Sequence, residues 1–145
     1  IRELLLKVDN MISELATRAE LVNEDGKIEL AFDPARRLMV VDVVGTLDEC
    51  RFTYDGLHVS KEIARQYYKK TEWYRDMEEA KKTAEREGVS DWRKLCKTQP
   101  PKLEPKLKRL VSYVYKAAAN EMTRKRLFET PPLKDIISQL RQYEW

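Results

Sequence analysis

The chain has 145 residues and a mass of 17.2 kDa, which is enough for one compact domain. Hydrophobic residues make up 42% and charged residues 37%, and this balance excludes a disordered or fibrous chain. The net charge of +3 does not by itself imply nucleic-acid binding, and no apolar run is long enough to cross a membrane. No secretory signal pattern is visible, and Cys50 and Cys96 lack metal-ligand spacing. These features predict a cytoplasmic protein with free thiols and no membrane segment.

The first third of the sequence predicts a helix and then a β-hairpin. An amphipathic helix is indicated by apolar side chains at spacings of three and four, namely Leu4, Val8, Met11, Ile12, Leu15, Ala19 and Val22. Residues 23–26 (NEDG) predict a turn. Alternation over residues 27–32 and an apolar run over 38–44 predict two strands of a hairpin, in which Glu29 and Asp42 are the unexpected acids.

The remainder of the chain is predicted to be mainly helical. After Gly45 the stretch to His58 has no regular period and predicts a loop. A helix capped by Ser60 is expected to end at residues 88–90, and Ser90 to cap a short helical turn near Trp92. Proline pairs at 100–101 and 131–132 precede two further helices. The fold class is therefore α+β.

An isolated two-stranded hairpin is rarely stable, and the sequence offers no other convincing strand. We therefore expect the hairpin to complete a larger antiparallel sheet, followed by a mainly helical C-terminal region. Since the chain begins at Ile1 rather than methionine, it is expected to be a processed or truncated piece of a longer protein. Residues 1–58 are expected to supply the helix, the hairpin and a substrate loop, and residues 59–145 the helical region.

The two acids of the hairpin indicate a site for a hard cation. Carboxylates on adjacent strands repel each other unless a cation lies between them. Mg²⁺ is commonly held by one or two carboxylates together with nucleotide phosphates. Lys27 is expected on the same face as Glu29, where it can hold a phosphate or a carboxylate. The alternative is that Glu29 and Asp42 are solvent-facing positions beside a loop.

A second group of charged residues follows the hairpin. Asp48 can accept hydrogen bonds from an amino group, and Arg51 can bind a phosphate or carboxylate with its forked guanidinium. Alternatively, these two residues pair with each other in a surface salt bridge. Lys61 and Arg65 share one face at the start of the next helix, where the helix N-terminus attracts anions. A solvated helix face is the simpler interpretation of this pair.

Three segments together resemble a known family, namely residues 27–29 (KIE), 41–51 (VDVVGTLDECR) and 60–65 (SKEIAR). They resemble the C-terminal half of SAICAR synthetase, phosphoribosylaminoimidazole-succinocarboxamide synthase, whose motifs are K-x-E-F-G, D-E-x-x-T-P-D-S-S-R and D-K-x-x-x-R. Order and gaps agree over about residues 20–70, and three motifs in register make a specific signal. The sequence departs from the motifs at Leu30, Ala31, Val43, Leu47, Glu49, Cys50 and Ser60.

The resemblance is incomplete along the chain. The family's N-terminal glycine-rich strands with their lysine, its adenine hinge and its arginine-asparagine substrate loop have no counterpart here. Val43 replaces the acid that follows Asp42 in the family, which changes the number of carboxylates available to a metal. Residues 78–101 resemble a lineage-specific extension. The resemblance therefore implies about half of an active site.

The resemblance implies an ATP-dependent ligase of de novo purine biosynthesis. Such an enzyme joins L-aspartate to the carboxylate of 5-amino-4-carboxyimidazole ribonucleotide through an acyl phosphate, with ATP cleaved to ADP. By resemblance, Glu29 and Asp42 hold Mg²⁺ on the ATP phosphates.

The remaining site residues are also assigned by resemblance. The ribonucleotide is bound by four residues, Asp48, Arg51, Lys61 and Arg65. Lys27 and Asp48 are the catalytic residues. The implied partners are the three small-molecule substrates, the N-terminal half of the same enzyme and further copies in a homo-oligomer, with neither membrane nor nucleic acid expected.

Two alternatives stay open. Residues 102–126 carry eight basic and two acidic residues together with Tyr113 and Tyr115, which is consistent with a non-catalytic basic helical module that binds RNA or an acidic protein. The last helices also carry apolar stripes that are consistent with a subunit contact. The aromatic residues are expected to be core or interface residues rather than base-stacking platforms, namely Trp73, Tyr74, Trp92, Tyr113, Tyr115 and Trp145.

Overall fold

The computed structural model describes residues 1–143 of the chain, and it confirms the α+β class. Trp145, one of the expected aromatic core or interface residues, lies outside the described residues. The strands are β1 (Val22–Gly26), β2 (Glu29–Phe32), β3 (Leu38–Val41), β4 (Cys50–Tyr54) and β5 (Leu57–His58). The helices are α1 (Arg2–Thr17), α2 (Glu62–Lys69), α3 (Glu72–Glu87), α4 (Pro105–Thr123) and α5 (Leu133–Leu140), with a short 3-10 helix at Trp92–Lys94.

The strands form two antiparallel sheets. Strands β2 and β3 form the predicted hairpin as a two-stranded sheet of its own, with Glu29 opposite Val41. Asp33 closes the connector, because its carboxylate accepts hydrogen bonds from the backbone N–H and the Nε of Arg37, both at 2.8 Å. The other sheet has three strands in the order β1-β4-β5.

Two of the sequence predictions are wrong in this region. Residues 23–26 are not a turn, and the stretch from 46 to 58 is not an irregular loop throughout, because β1, β4 and β5 lie there. Strand β1 has a polar, turn-like sequence and exists because it pairs with β4, with Val22 opposite Thr53. Strand β4 shows no alternation because Phe52, Thr53 and Tyr54 are all buried. The chain thus supplies a second sheet that the sequence did not indicate.

The helices follow their apolar periodicity, with three local differences. Helix α1 ends at Thr17, so Val22 of its predicted stripe lies in β1 instead. The single helix predicted after Ser60 is divided into α2 and α3, because the Thr71 hydroxyl accepts a hydrogen bond from the backbone N–H of Tyr74 at 3.2 Å and starts a new helix. Gly88 ends α3 in a left-handed conformation, with φ of 67°. Asp91, rather than Ser90, caps the 3-10 helix.

One hydrophobic core unites the sheet with the first and last helices. Buried side chains from α1, β4, α2, α4 and α5 meet in it, the largest being Phe52, Ile63, Leu107, Leu133, Ile136, Ile137 and Leu140. The core draws residues from both sides of the division expected near residue 58, and that division stays a prediction. None of the helices within residues 1–143 combines the length and apolar character needed to span a membrane.

The start of the hairpin lies in close contact with β4. Gly26 is paired with Cys50, and the backbone N–H of Lys27 donates to the carbonyl oxygen of Glu49 at 2.9 Å. A Cβ atom on Gly26 would lie 2.6 Å from the Cys50 Sγ, a separation that real side chains do not tolerate. A residue without a side chain therefore allows the chain to pass from β1 into the hairpin at this point.

We predict that Gly26→Ala lowers the free energy of unfolding by roughly 1–3 kcal/mol, because the added methyl group overpacks the contact with the Cys50 thiol. Urea unfolding at neutral pH measures this change.

The matched control is Cys50→Ala, which removes the sulfur atom. In that background Gly26→Ala should lower the free energy of unfolding by clearly less, with a coupling of about 0.5 kcal/mol or more between the two changes. An equal loss in both backgrounds would show that this contact is not what requires glycine.

Candidate active site

Four charged residues gather at the open end of the hairpin, and we call them the acid–lysine cluster: Lys27, Glu29, Asp42 and Glu49. The Lys27 ammonium donates a hydrogen bond to Glu29 Oε1 at 2.5 Å. This contact, with the nearby Glu49 and Asp42 carboxylates, raises the pKa of Lys27 above its ordinary value. The ammonium is therefore fully charged at neutral pH, and it partly compensates three acids.

Asp42 lies one residue beyond β3, not inside a strand as its apolar neighbours predicted. Val41 is the partner of Glu29 in the hairpin, so Asp42 follows at the same end. Its φ of 64° is left-handed, a conformation that aspartate tolerates better than most residues, and it turns the chain out of the sheet. Glu29 and Asp42 are both exposed, which agrees with the alternative that they are solvent-facing positions. They also lie close to one lysine, Lys27.

The donor set of this cluster suits a magnesium ion that is shared with phosphates. Carboxylate oxygens are hard ligands, and Mg²⁺ usually takes one or two of them with the remaining positions filled by phosphate and water. Among residues 1–143, no group of three or more His, Cys, Asp or Glu side chains is arranged to hold a metal by itself. Glu29 and Asp42 therefore fit the role of two ligands of a magnesium ion whose other ligands are phosphate and water. The described part of the chain has no metal site built from protein side chains alone.

Asp48 is held by two contacts from different helical elements. Its Oδ1 accepts a hydrogen bond from the Tyr115 hydroxyl of α4 at 2.6 Å. Its backbone carbonyl accepts one from the Lys61 ammonium, just before α2. Burial, followed by the hydrogen bond to Asp48, raises the pKa of Tyr115, so this hydroxyl stays a donor at neutral pH.

Arg51 does not pair with Asp48, which was one of the two sequence interpretations. Its guanidinium binds the Asp25 carboxylate through two hydrogen bonds, one of them at 2.7 Å from Nε to Oδ1. The two residues face each other across β1 and β4. The hydrogen bond from Arg51 lowers the pKa of Asp25, and the charge of Lys61 acts in the same direction.

Among the predicted site residues of the second group, Arg65 is the one whose side chain contacts only its own helix within residues 1–143. It is about half exposed and pairs with Glu62 of its own helix at 3.2 Å, as expected for a solvated helix face. Glu62 also contributes to the raised pKa of Arg51, which places α2 in the same electrostatic surroundings. The structure thus brings Asp48, Arg51 and Lys61 together, and it connects Arg65 to them through Glu62.

Two residues of this region were missed by sequence reasoning. Asp25 was assigned to a turn, and the aromatic side chain of Tyr115 was expected to serve the core or an interface. Tyr115 lies 67 positions from Asp48, and Asp25 lies 26 positions from Arg51. No local pattern connects positions so far apart, and the only available signal was the charge complementarity of Asp25 and Arg51.

A cavity of about 450 Å³ opens beside the acid–lysine cluster, between α1 and β1. Its polar wall is formed by Asp9, Asn23 and Lys27, and the Asn23 amide donates to Asp9 Oδ1 at 2.9 Å. Its apolar wall comes from Leu5, Val8, Ile12 and Ile28. The cluster is therefore next to a space that can receive a ligand or another segment of protein.

Comparison with known proteins places this geometry in a family. A sequence model described as SAICAR synthetase matches residues 1–87, which include all the predicted site residues. The chain belongs to the SAICAR synthetase family. The match contains both the acid–lysine cluster and the start of α2, so the resemblance found from three short motifs is confirmed.

Named relatives in two organisms extend this comparison. The chain is 46% identical to a protein of Archaeoglobus fulgidus, provisionally named phosphoribosylaminoimidazole-succinocarboxamide synthase, over 98% of this chain and 41% of the relative. It is 33% identical to the Thermoplasma acidophilum synthase of that name, over 85% of this chain and 41% of the relative. The chain thus spans about two fifths of these relatives. No solved structure matches it.

The segment 78–101 is shared with at least one relative. The family match ends at residue 87, inside this segment, whereas the alignment with the Archaeoglobus fulgidus relative covers 142 residues of the chain. In the structure Asp76 of α3 holds the end of this segment, because its carboxylate accepts hydrogen bonds from the backbone N–H groups of Lys97 at 2.7 Å and Thr98 at 2.6 Å. The segment is thereby fixed to the helical region.

We predict that the contribution of Asp25 to stability depends on pH. Its pKa is lowered from 3.8 in the folded protein, so its stabilising effect is present above that value and is lost as the pH falls through 3.8 and below. The free energies of unfolding of the wild type and of Asp25→Asn should therefore differ at pH 7 and converge in acid. Urea unfolding between pH 7 and pH 3 measures the difference.

The exposed Glu85→Gln variant serves as the control, because Glu85 lies on α3, away from Arg51, and its variant should show no such convergence. A difference between the wild type and Asp25→Asn that is constant across this pH range would mean that the pair with Arg51 does not form.

Proposed function

We propose that the protein containing this chain is the ATP-dependent ligase that joins L-aspartate to 5-amino-4-carboxyimidazole ribonucleotide in purine biosynthesis, and that this chain provides the part of the active site that binds metal and ribonucleotide. One observation carries the proposal. Within the family match, the fold brings Lys27 together with Glu29 and Asp42.

In this proposal, the acid–lysine cluster receives the phosphates of ATP. Glu29 and Asp42 hold Mg²⁺, which when bound neutralises the charge that develops on the transferred phosphoryl group. Lys27 is exposed and fully protonated, and its contact with Glu29 is one that an incoming phosphate can replace. The substitution of Val43 for the family's second acid is consistent with one carboxylate, Asp42, serving at this position.

The second group of residues binds the ribonucleotide. The cations Arg51, Lys61 and Arg65 are assigned to its phosphate and carboxylate, because forked and flexible cations suit oxyanions. Asp48 is assigned to its amino group, as a hydrogen-bond acceptor. Asp25 keeps the guanidinium of Arg51 in place before the ligand arrives.

The chemistry requires positioning and charge neutralisation more than covalent participation by the protein. A carboxylate oxygen of the ribonucleotide attacks the γ-phosphorus of ATP, the bond to the ADP oxygen breaks, and an acyl phosphate forms. The amine of L-aspartate then attacks the acyl carbon, inorganic phosphate leaves, and the nitrogen loses a proton. Lys27 and Asp48 are the residues of this chain placed nearest to the two reacting groups in the proposal.

The exposed apolar surface supports a further partner for this chain. Large apolar side chains are exposed on α1, on the hairpin and just after it, and they include Leu5, Leu6, Met11, Phe32, Met39 and Val43. We assign this surface to contact with the N-terminal half of the enzyme, which would also supply strands beside the hairpin. In this arrangement residues 1–58 contribute the site and 59–145 support it. We also propose a cytoplasmic location and a homo-oligomer.

The alternative of a basic binding module receives no support from the aromatic residues on which it depended. Tyr115 is half-buried and its hydroxyl is bound to Asp48, while the ring of Tyr113 packs against the core. Arg124, Lys125 and Arg126 line a cavity of about 530 Å³ at the end of α4, but this cavity lies outside residues 1–87, which match the family. Of the two functions considered, we therefore propose only the ligase.

We predict that ADP release from Mg²⁺, ATP, L-aspartate and the ribonucleotide requires this chain together with the part of the Archaeoglobus fulgidus relative that it does not cover. In that combination, Glu29→Gln should reduce turnover by roughly 100-fold, because it removes one metal-binding carboxylate. A coupled assay for ADP measures the rate.

Glu79→Gln, on the exposed face of α3, is the matched control and should leave turnover unchanged. Turnover by this chain alone, or a Glu29→Gln rate equal to that of the control, would contradict the proposal. Failure of a correctly folded combination to release ADP would contradict it as well.

A further inference from the structure

Part of the loop that carries Asp48 lines a cavity beside α4, while Leu47 of the same loop is buried in the core. Residues 44–47 of this loop and one side of α4 enclose about 370 Å³, with mostly apolar walls. The residues of α4 that line it are Tyr115, Ala119, Met122 and Thr123, and Leu15 of α1 completes the lining. Leu47 anchors the loop in the core, but the Asp48 side chain is exposed, so hydrogen bonds rather than packing determine the direction of its carboxylate.

We propose that Tyr115 is a positioning residue that fixes the Asp48 carboxylate for the amino group of the ribonucleotide. This inference rests on the proposed function, in which Asp48 contacts that amino group. Tyr115 lies on α4, outside the segment that matches the family, and neither the motifs nor the family match assigns it a role.

The geometry leaves one carboxylate oxygen of Asp48 available for a ligand. The Tyr115 hydroxyl occupies Oδ1 at 2.6 Å, and Lys61 holds the backbone carbonyl of the same residue. Within residues 1–143, no hydrogen bond engages Oδ2 of Asp48, although the residue is exposed. Two fixed points, on the backbone and on the side chain, determine the side-chain rotamer and therefore the direction of Oδ2.

The chemical character of the contact suits this role. A neutral hydroxyl that donates to a carboxylate makes a short, charge-assisted hydrogen bond, and it leaves the negative charge of Asp48 uncompensated for an amino group. The ring of Tyr115 is partly buried against the core, so its hydroxyl is presented from a rigid helix rather than from a mobile surface. A lysine at the same place would neutralise the charge instead.

The test compares Tyr115→Phe with Tyr113→Phe in the reconstituted protein described above. Tyr113 lies two positions away on the same helix, is partly buried and has no hydrogen bond to Asp48. Tyr113→Phe is therefore the matched control, because it also removes one hydroxyl group from this helix. Tyr115→Phe should raise KM for the ribonucleotide about tenfold, as expected for a lost hydrogen bond to a charged group. KM for ATP should stay within twofold, and Tyr113→Phe should alter neither constant by more than that.

A double-variant cycle separates positioning from general stability. If Tyr115 acts through Asp48, then adding Tyr115→Phe to Asp48→Asn should change KM for the ribonucleotide by less than twofold. A full tenfold further increase would show that Tyr115 acts independently of Asp48, and would overturn the inference. So would a Tyr115→Phe protein whose KM values equal those of the wild type.

A binding measurement distinguishes failure of this inference from failure of the proposed function. Calorimetry with the ribonucleotide alone should show binding by the wild-type protein and weaker binding by Tyr115→Phe. No binding by the wild type would overturn the proposed function and this inference with it, whereas equal binding by both would overturn only the inference. If Tyr115→Phe does not fold, the test uses the wild type. The inference requires the ¹³Cζ resonance of Tyr115 to shift when the ribonucleotide binds, and an unchanged resonance would overturn it.

Discussion

The antiparallel pairing of β1 with β4 is the constraint on which the rest of the site depends. It places Gly26 against Cys50, so that the chain enters the hairpin beside Glu49, and it places Asp25 opposite Arg51. Glu29 and Asp42 at the open end of the hairpin are thereby brought to the same side of the molecule as the loop of Asp48. Because this pairing joins residues about 25 positions apart, the site forms only with the tertiary structure, and local structure alone does not create it.

Three cations of the site are already paired with acids before any ligand binds. Arg65 contacts Glu62, whose side chain is largely buried, whereas the pairs of Lys27 with Glu29 and of Arg51 with Asp25 are exposed. Such pairs have modest energies in water, so they orient the side chains without resisting exchange. A phosphate or carboxylate can therefore take over a cation from its acidic partner at little energetic cost. This arrangement suits a site that must bind several anionic groups and release them after reaction.

The sequence predicted those elements and residues whose signal is local. The apolar periodicity of α1, α4 and α5 and the alternation in β2 indicated their structures correctly, because burial on one face leaves a repeating pattern. Strand β4 has three consecutive buried residues, 52–54, and β1 is polar, so neither leaves such a pattern. Lys27, Glu29 and Asp42 were selected because charges within an apolar stretch of sequence are conspicuous, whereas Tyr115 and Asp25 were missed because their contacts join distant segments.

The most direct test of the account is to locate the metal on the reconstituted protein. Mn²⁺ can replace Mg²⁺ with ATP, and its unpaired electrons broaden the NMR signals of nearby nuclei. The account predicts that Mn²⁺ with ATP broadens the backbone amide signals of residues 27–29 and 41–43, leaves those of α5 unchanged, and loses this effect in Glu29→Gln. Broadening centred on the basic residues 124–126, or broadening that is the same in Glu29→Gln, would contradict the assignment of the acid–lysine cluster to the metal and ATP phosphates.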